Sequence, residues 1–252
     1  MDNEQLIERA DRWVLLKRAS ENKQSANIYK MVQSIEQESV LNLHYELQML
    51  NMLQSKYTLQ PLQIEQQHMN HLLVFQDDES VSLNKYLTKP LPILTFLKIA
   101  LEIANIFIDI HRSSIVYRNV HRRNFLINAN TLEVKAINFE HAYKFHRETS
   151  YNTEQQQRME RSHYFAPEET GRLNVSVDYR TDLYSLGVLF YEMVTGFLPF
   201  TTEDLQQLFY EIITNEPTAV TEINPKIHNR LRTLLQSYFV KIKPTVIKVQ
   251  SG

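Results

Sequence analysis

The chain has 252 residues, 43% of them hydrophobic, with 27 basic and 29 acidic side chains and a formal charge of -2. That is enough apolar material for one large domain or for two lobes that share a cleft. The charges are mixed along the chain, so no basic stripe marks a nucleic-acid or membrane surface, and the absence of cysteine excludes disulfides and thiolate metal sites and makes the cytoplasm the expected location.

In chain order, Met1 to Trp13 is polar and has no apolar stretch of signal-peptide type. Trp13–Leu16 and Asn27–Val32 read as strands, joined by a polar stretch suited to a hairpin turn. In the second of them Ile28, Lys30 and Val32 share a face. From Ser39 to Leu53 the apolar spacing becomes helical, with Leu43, Leu47, Leu50 and Leu53 in one stripe. Glu46 falls inside that stripe, and a carboxylate there needs a partner. Leu59–Gln66 and His71–Phe75 read as two further strands, and Gln76–Ser80 as a polar connector. Leu91 to Ser113 follows as a long amphipathic helix, with Lys98, Glu102 and Asp109 interrupting any membrane span. Two short apolar runs, Phe125–Ile127 and Val134–Phe139, stand at hairpin spacing. Asp182–Thr195 is apolar on most faces and is expected to be a buried helix, opened and capped by Asp182. The outline is a small β-rich lobe with one helix, residues 1–78 including the connector, and a mostly helical lobe, residues 79–252.

At Tyr164-Phe165-Ala166-Pro167-Glu168, followed by Asp178-Tyr179-Arg180-Thr181-Asp182-Leu183-Tyr184-Ser185-Leu186-Gly187, the chain resembles a protein kinase. The first run is similar to the Ala-Pro-Glu motif that closes the activation segment, the second to the start of the buried central helix. Phe190 to Phe200 and Glu169 to Arg172 further resemble the serine/threonine-kinase-like domain at the head of large bacterial hybrid sensor kinases. The resemblance implies an α+β, bilobal kinase-like fold whose C-terminal helices, from Ser237 to Gly252, are degenerate or cut short.

Under this resemblance each kinase signature has a counterpart whose chemistry is open to inspection. Tyr117-Arg118-Asn119-Val120-His121-Arg122-Arg123-Asn124 stands where the family has H-R-D-x-x-x-x-N. Asn119 takes the place of the catalytic aspartate, and an amide is no base near neutral pH, which implies a loss of about 10² to 10⁴ in rate. His121 replaces the lysine that contacts the γ-phosphate. Asn124, the second metal ligand of the family, is retained. Asn138-Phe139-Glu140 stands at D-F-G; Asn138 brings no charge to compete with the hydration of Mg²⁺, and Phe139 keeps its packing role. Lys30 matches the lysine of V-A-I-K and Glu46 the helix glutamate that pairs with it. The glycine-rich loop is expected within Lys17–Ala26, which contains no glycine. The chain has only Gly171, Gly187, Gly196 and Gly252, so close backbone approach to a phosphate lacks its usual residue.

Phe75 falls at the gatekeeper position, with Gln76, Asp77 and Asp78 as the hinge beside an adenine-sized slot. Thr149, Ser150, Thr153 and Ser162 are candidate phosphosites in the activation segment, with Arg118 as receiver. Glu168 is expected to lack the arginine that usually pairs with it, since none has a clear equivalent after Leu235. The favoured expectation is a pseudokinase: a regulatory or scaffold module in signal transduction that binds ATP weakly or not at all, makes doubtful use of Mg²⁺, and is read by a protein partner such as a sensor histidine kinase or a fused ATPase module. Two alternatives stay open: an active, atypical serine/threonine kinase that relies on positioning, and a structural domain whose cleft is filled by Phe75 and other bulky side chains.

Overall fold

The computed structural model describes residues 4–10, 12–19, 26–32, 37–67, 70–145 and 159–239. The chain divides into two compact units, Met1–Phe145 and His146–Gly252. The first contains a five-stranded antiparallel sheet in the order β1-β2-β3-β5-β4, formed by β1 (Glu4–Arg9), β2 (Trp13–Ala19), β3 (Ala26–Val32), β4 (Pro61–Gln67) and β5 (Asn70–Gln76). Helix α1 (Gln37–Leu53) lies between β3 and β4 in sequence. Its buried positions Leu43, Glu46, Leu50 and Leu53 recur every three or four residues and place Glu46 in the apolar stripe. On β3 the period is two: Ile28, Lys30 and Val32 are buried, as the strand alternation requires.

Strand β1 was not legible in the sequence, because Glu4–Arg9 offers only two apolar residues. Its pairing with β2 is interrupted by a bulge between Leu6 and Glu8, which stand opposite the consecutive residues Leu16 and Leu15. A bulge breaks the inside–outside alternation, so Ile7 and Glu8, adjacent in sequence, are both buried.

After the sheet come β6 (Val81–Ser82), the one-turn α2 (Leu83–Tyr86) capped by Ser82, and the twenty-residue α3 (Ile93–Arg112). Phe96, Ile99, Ile103, Ile106, Phe107 and Ile110 form the buried face of α3. Strands β7 (Ile115–Val116), β8 (Phe125–Ile127), β9 (Val134–Ala136) and β10 (Tyr143–Lys144) complete the unit, with β8 and β9 forming the expected hairpin. Its turn is held by Asn128, whose Oδ1 accepts from the backbone amides of Asn130 and Thr131.

In the second unit α4 (Met159–Ser162) precedes a 3₁₀ turn at Pro167–Thr170, and α5 (Tyr179–Thr195), α6 (Leu205–Thr214), α7 (Val220–Ile223) and α8 (Asn229–Tyr238) follow. Helix α5 is buried along nearly its whole length, as its apolar surface requires. It begins earlier than the sequence suggested, and its cap is Asp178, whose Oδ1 accepts from the Arg180 amide at 2.8 Å. Asp182 therefore lies one turn inside the helix, fully buried, and does not perform the capping assigned to it. The helix ends at Gly196, at φ 79°, where a glycine avoids the penalty of the left-handed region. Gly187 lets α8 come close: a Cβ there would stand 2.4 Å from the Cβ of Tyr238. Among the described residues no helix is long and apolar enough to cross a membrane.

Candidate functional site

Every residue of the site core belongs to the first unit. The Lys30 ammonium donates to Glu46 Oε2, and the two side chains are 2% and 0% exposed. Strand alternation turns one inward and the helical stripe the other, and the resemblance to kinases implied that the two would pair. Charges this deep persist only when further hydrogen bonds support them, and each has one. Glu46 Oε1 accepts from the Phe139 amide at 3.1 Å. Lys30 also donates to Asn138 Oδ1.

From Lys30 the hydrogen bonds run in one direction. An ammonium only donates, so the amide oxygen of Asn138 must face Lys30 and its nitrogen must point away. That nitrogen donates to Asn124 Oδ1 at 2.9 Å. The Asn124 amide nitrogen in turn donates to the Asn119 carbonyl oxygen at 2.7 Å and lies 2.9 Å from His121 Nε2. Asn119 closes the circuit by donating its side-chain amide to the Asn138 carbonyl at 3.0 Å. All three asparagines are buried. Asn138 is held at φ 73°, ψ 59°, in the left-handed region that asparagine tolerates better than most residues. Phe139 packs edge-on against Tyr117 with ring centroids 5.0 Å apart, and Tyr117 donates its hydroxyl to the Ile137 carbonyl. His121 caps the 3₁₀ turn at Arg122–Asn124, its Nδ1 accepting from the Arg123 amide at 3.3 Å. Arg118 also has a positive φ, 56°, and its guanidinium lies 6.0 Å from the Tyr143 ring centroid.

A divalent cation shared by Asn124 and Asn138 would need both amide oxygens. One already receives an amide nitrogen and the other an ammonium. Rotating the Asn138 amide to free its oxygen would aim N–H groups at Lys30, so the present side-chain arrangement does not fit Mg²⁺.

The glycine-rich loop was expected in the wrong connection. Lys17–Ala19 and Ala26 are strand residues of β2 and β3, and residues 20–25 lie outside the described residues. The turn beside the site is the preceding one, between β1 and β2. The Trp13 ring centroid lies 5.8 Å from Lys30 Nζ, and Glu8 accepts from Arg123 Nη1 at 3.1 Å. Set against G-x-G-x-x-G-x-V, Glu8, Ala10 and Trp13 stand at the glycines and Leu15 at the valine. Two bulky, buried side chains thus flank, on the strands at either side, a turn that in kinases covers phosphates. With so little apolar periodicity in Glu4–Arg9, the sequence carried no signal for this strand.

Phe75 is buried on β5. Gln76 ends that strand opposite Asn27. The two connector acids are tied by ion pairs, Asp77 to Lys17 at 2.5 Å and Asp78 to Lys135 at 3.1 Å, and each also accepts a backbone amide two residues on, from Glu79 and Ser80.

In the second unit Glu168 has a hydroxyl where a guanidinium was looked for: its Oε1 accepts from Thr181 Oγ1 at 2.6 Å. Burial pushes its carboxyl above the ordinary value of 4.5, against the lowering effect of that hydrogen bond. Burial also raises the Tyr184 phenol, and the nearby Glu168 charge adds to the shift. The Tyr184 hydroxyl has no hydrogen-bond partner among the described residues. Ser162 is fully buried and so is closed to a modifying enzyme in this fold, while Thr149, Ser150 and Thr153 lie outside the described residues.

The family model described as "protein kinase domain" matches residues 14–244. Among curated relatives, a probable serine/threonine-protein kinase of Clostridium perfringens is 32% identical over 151 residues, which is 60% of this chain and 21% of that protein. Hybrid signal transduction histidine kinase G of Dictyostelium discoideum is 43% identical over 65 residues, 26% of this chain and 2% of the relative. Histidine protein kinase 1 of Candida albicans is 29% identical over 140 residues, 54% of this chain and 6% of the relative. The chain thus spans between 2% and 21% of the length of these three relatives.

Proposed function

The chain belongs to the protein kinase family, and we propose that within this family it is a non-catalytic signalling module whose folded shape, rather than phosphate transfer, is what a partner reads. The observation that carries this reading is the closed circuit from Lys30 through Asn138, Asn124 and Asn119. In an active kinase the corresponding groups hold metal, phosphate and the attacking hydroxyl. Here they satisfy one another. Asn119 offers no base, and an amide–ammonium contact stands where a carboxylate–metal contact is needed. Nucleotide binding, on this reading, is weak and independent of Mg²⁺.

The partner we propose is a protein of a phosphorelay, including a histidine kinase region joined to such a domain in a longer chain. Support for this comes from the relatives named as histidine kinases. The proposed location is the cytoplasm.

The test is γ-phosphate transfer from ATP to the protein itself and to a generic protein substrate, measured beside Lys30→Ala. No transfer above that variant is expected; transfer that disappears in Lys30→Ala would overturn the proposal. A melting-temperature titration with ATP, with and without Mg²⁺, reads the nucleotide part directly, because a ligand that binds only the folded state must raise the transition.

A further inference from the structure

Glu8 is a carboxylate in an unusual place: 3% exposed, on an edge strand, one residue from a turn. Its Oε2 accepts from Ser82 Oγ and from Asn84 Nδ2 at 3.1 Å. Its Oε1 accepts from Arg123 Nη1 at 3.1 Å and from the Arg9 amide at 3.0 Å. The three side-chain donors come from β6, from the first turn of α2 and from the 3₁₀ turn that also carries Asn124. None of them belongs to the sheet that carries Glu8. Arg123 adds a bond to the Arg9 carbonyl at 2.6 Å, and Lys85 one to the Leu6 carbonyl at 2.7 Å, so the end of β1 is fastened at three levels. The β1–β2 bulge is what turns Glu8 toward these donors.

A hydroxyl, an amide N–H and a guanidinium converging on one point make a receptor for a small anion, with the guanidinium supplying the charge. We infer that Ser82, Asn84 and Arg123 form a carboxylate-binding site that the chain fills with its own Glu8, and that this internal ligand latches the end of β1 to β6, α2 and the 3₁₀ turn that carries Asn124. The inference builds on the non-catalytic reading above and adds what keeps nucleotide out. A triphosphate lies beneath the β1–β2 turn in kinases, so it enters here only when Glu8 leaves its receptor. The latched state lowers apparent affinity by the fraction of molecules that are open.

The experiment uses the full chain and Glu8→Ala. Removing the carboxylate leaves the three donors facing an empty space sized for one carboxyl group. Glu8→Ala is expected to melt below the wild type, and sodium acetate is expected to recover part of that loss relative to sodium chloride at equal ionic strength. The wild type, with its site filled, should show no difference between the two salts. ATP without Mg²⁺ should bind Glu8→Ala about tenfold or more tighter than the wild type. If Glu8→Ala does not fold, Glu8→Gln serves in its place, because it keeps the volume, removes the charge and sets an N–H donor against the receptor's own donors; ATP affinity is then the deciding readout. Equal ATP affinity in wild type and variant would overturn the latch and leave the non-catalytic reading standing. Equal response of Glu8→Ala to acetate and chloride would overturn the carboxylate site. Phosphate transfer by the wild type would sink the non-catalytic reading without touching the acetate result.

Discussion

Asn138 donates its side-chain amide to the side-chain oxygen Oδ1 of Asn124 at 2.9 Å. Two positions that hold a metal between them in kinases are joined here by a direct hydrogen bond, and its polarity is fixed at one end by the Lys30 ammonium. Asn138→Asp replaces that donor by an acceptor, so two oxygens face each other across the same gap. Such a pair is relieved by a cation. Asn138→Asp is therefore expected to make the melting temperature rise with Mg²⁺, while the wild type stays unresponsive; a differential scanning fluorimetry titration decides it, and a flat response in the variant would show that the site resists metal for another reason.

Lys30 and Glu46 are buried beyond the reach of solvent, which makes the pair expensive to break from one side. Lys30→Ala strands the Glu46 carboxylate and is expected to destabilise the protein by about 3–5 kcal/mol. The double change Lys30→Met with Glu46→Leu removes both charges at similar volume and should cost far less than the single one. Urea unfolding of the three proteins measures this; a double variant as unstable as Lys30→Ala would mean that the bonds to Asn138 and the Phe139 amide matter more than the ion pair.

Glu168 gives a pH dependence with a definite sign. Its carboxyl is raised above 4.5 by burial, so the folded state holds the proton more tightly than the unfolded chain does. The stabilisation this provides is complete below 4.5 and is lost as pH climbs through the raised folded value. Glu168→Gln keeps an oxygen to accept from Thr181 and should abolish that part of the decline. Unfolding midpoints across this range, for both proteins, would show a shallower slope in the variant; identical slopes would refute the assignment.

Tyr184 buries a hydroxyl with no partner among the described residues, and leaving such a group unmet costs about 1–3 kcal/mol. Tyr184→Phe deletes the hydroxyl and keeps the ring, which packs against Phe239 at 5.4 Å. A gain of about 1 kcal/mol in unfolding free energy is expected, and a loss would mean that the hydroxyl has a bound water or other partner.

Gly187 tests the packing of α5 against α8. An added methyl would meet Tyr238 at 2.4 Å, with no flexible end to move aside, since the atom met is itself a Cβ. Gly187→Ala should cost about 1–3 kcal/mol through overpacking, despite alanine's better helix propensity. A thermal melt suffices, and an unchanged or raised transition would show that α8 can shift at little cost.

The sequence by itself determined the burial of Lys30 and Glu46, through periods of two and 3.6 that a single segment carries, and its motifs carried the resemblance that implied their pairing and set the neutral amides Asn119 and Asn138 at the site. The turn beside the site was decided elsewhere. Glu4–Arg9 has no apolar alternation to announce a strand, and its one-residue bulge, which buries Glu8, arises only when β1 pairs with β2. The same holds for the circuit of asparagines: each amide could present either end, and only the arrival of Lys30 from the sheet fixes which atoms are left to meet a ligand. Local pattern names the residues of a site, whereas the direction of its hydrogen bonds belongs to partners that are distant in sequence, such as Lys30 and Asn138, and is set when the fold brings them together.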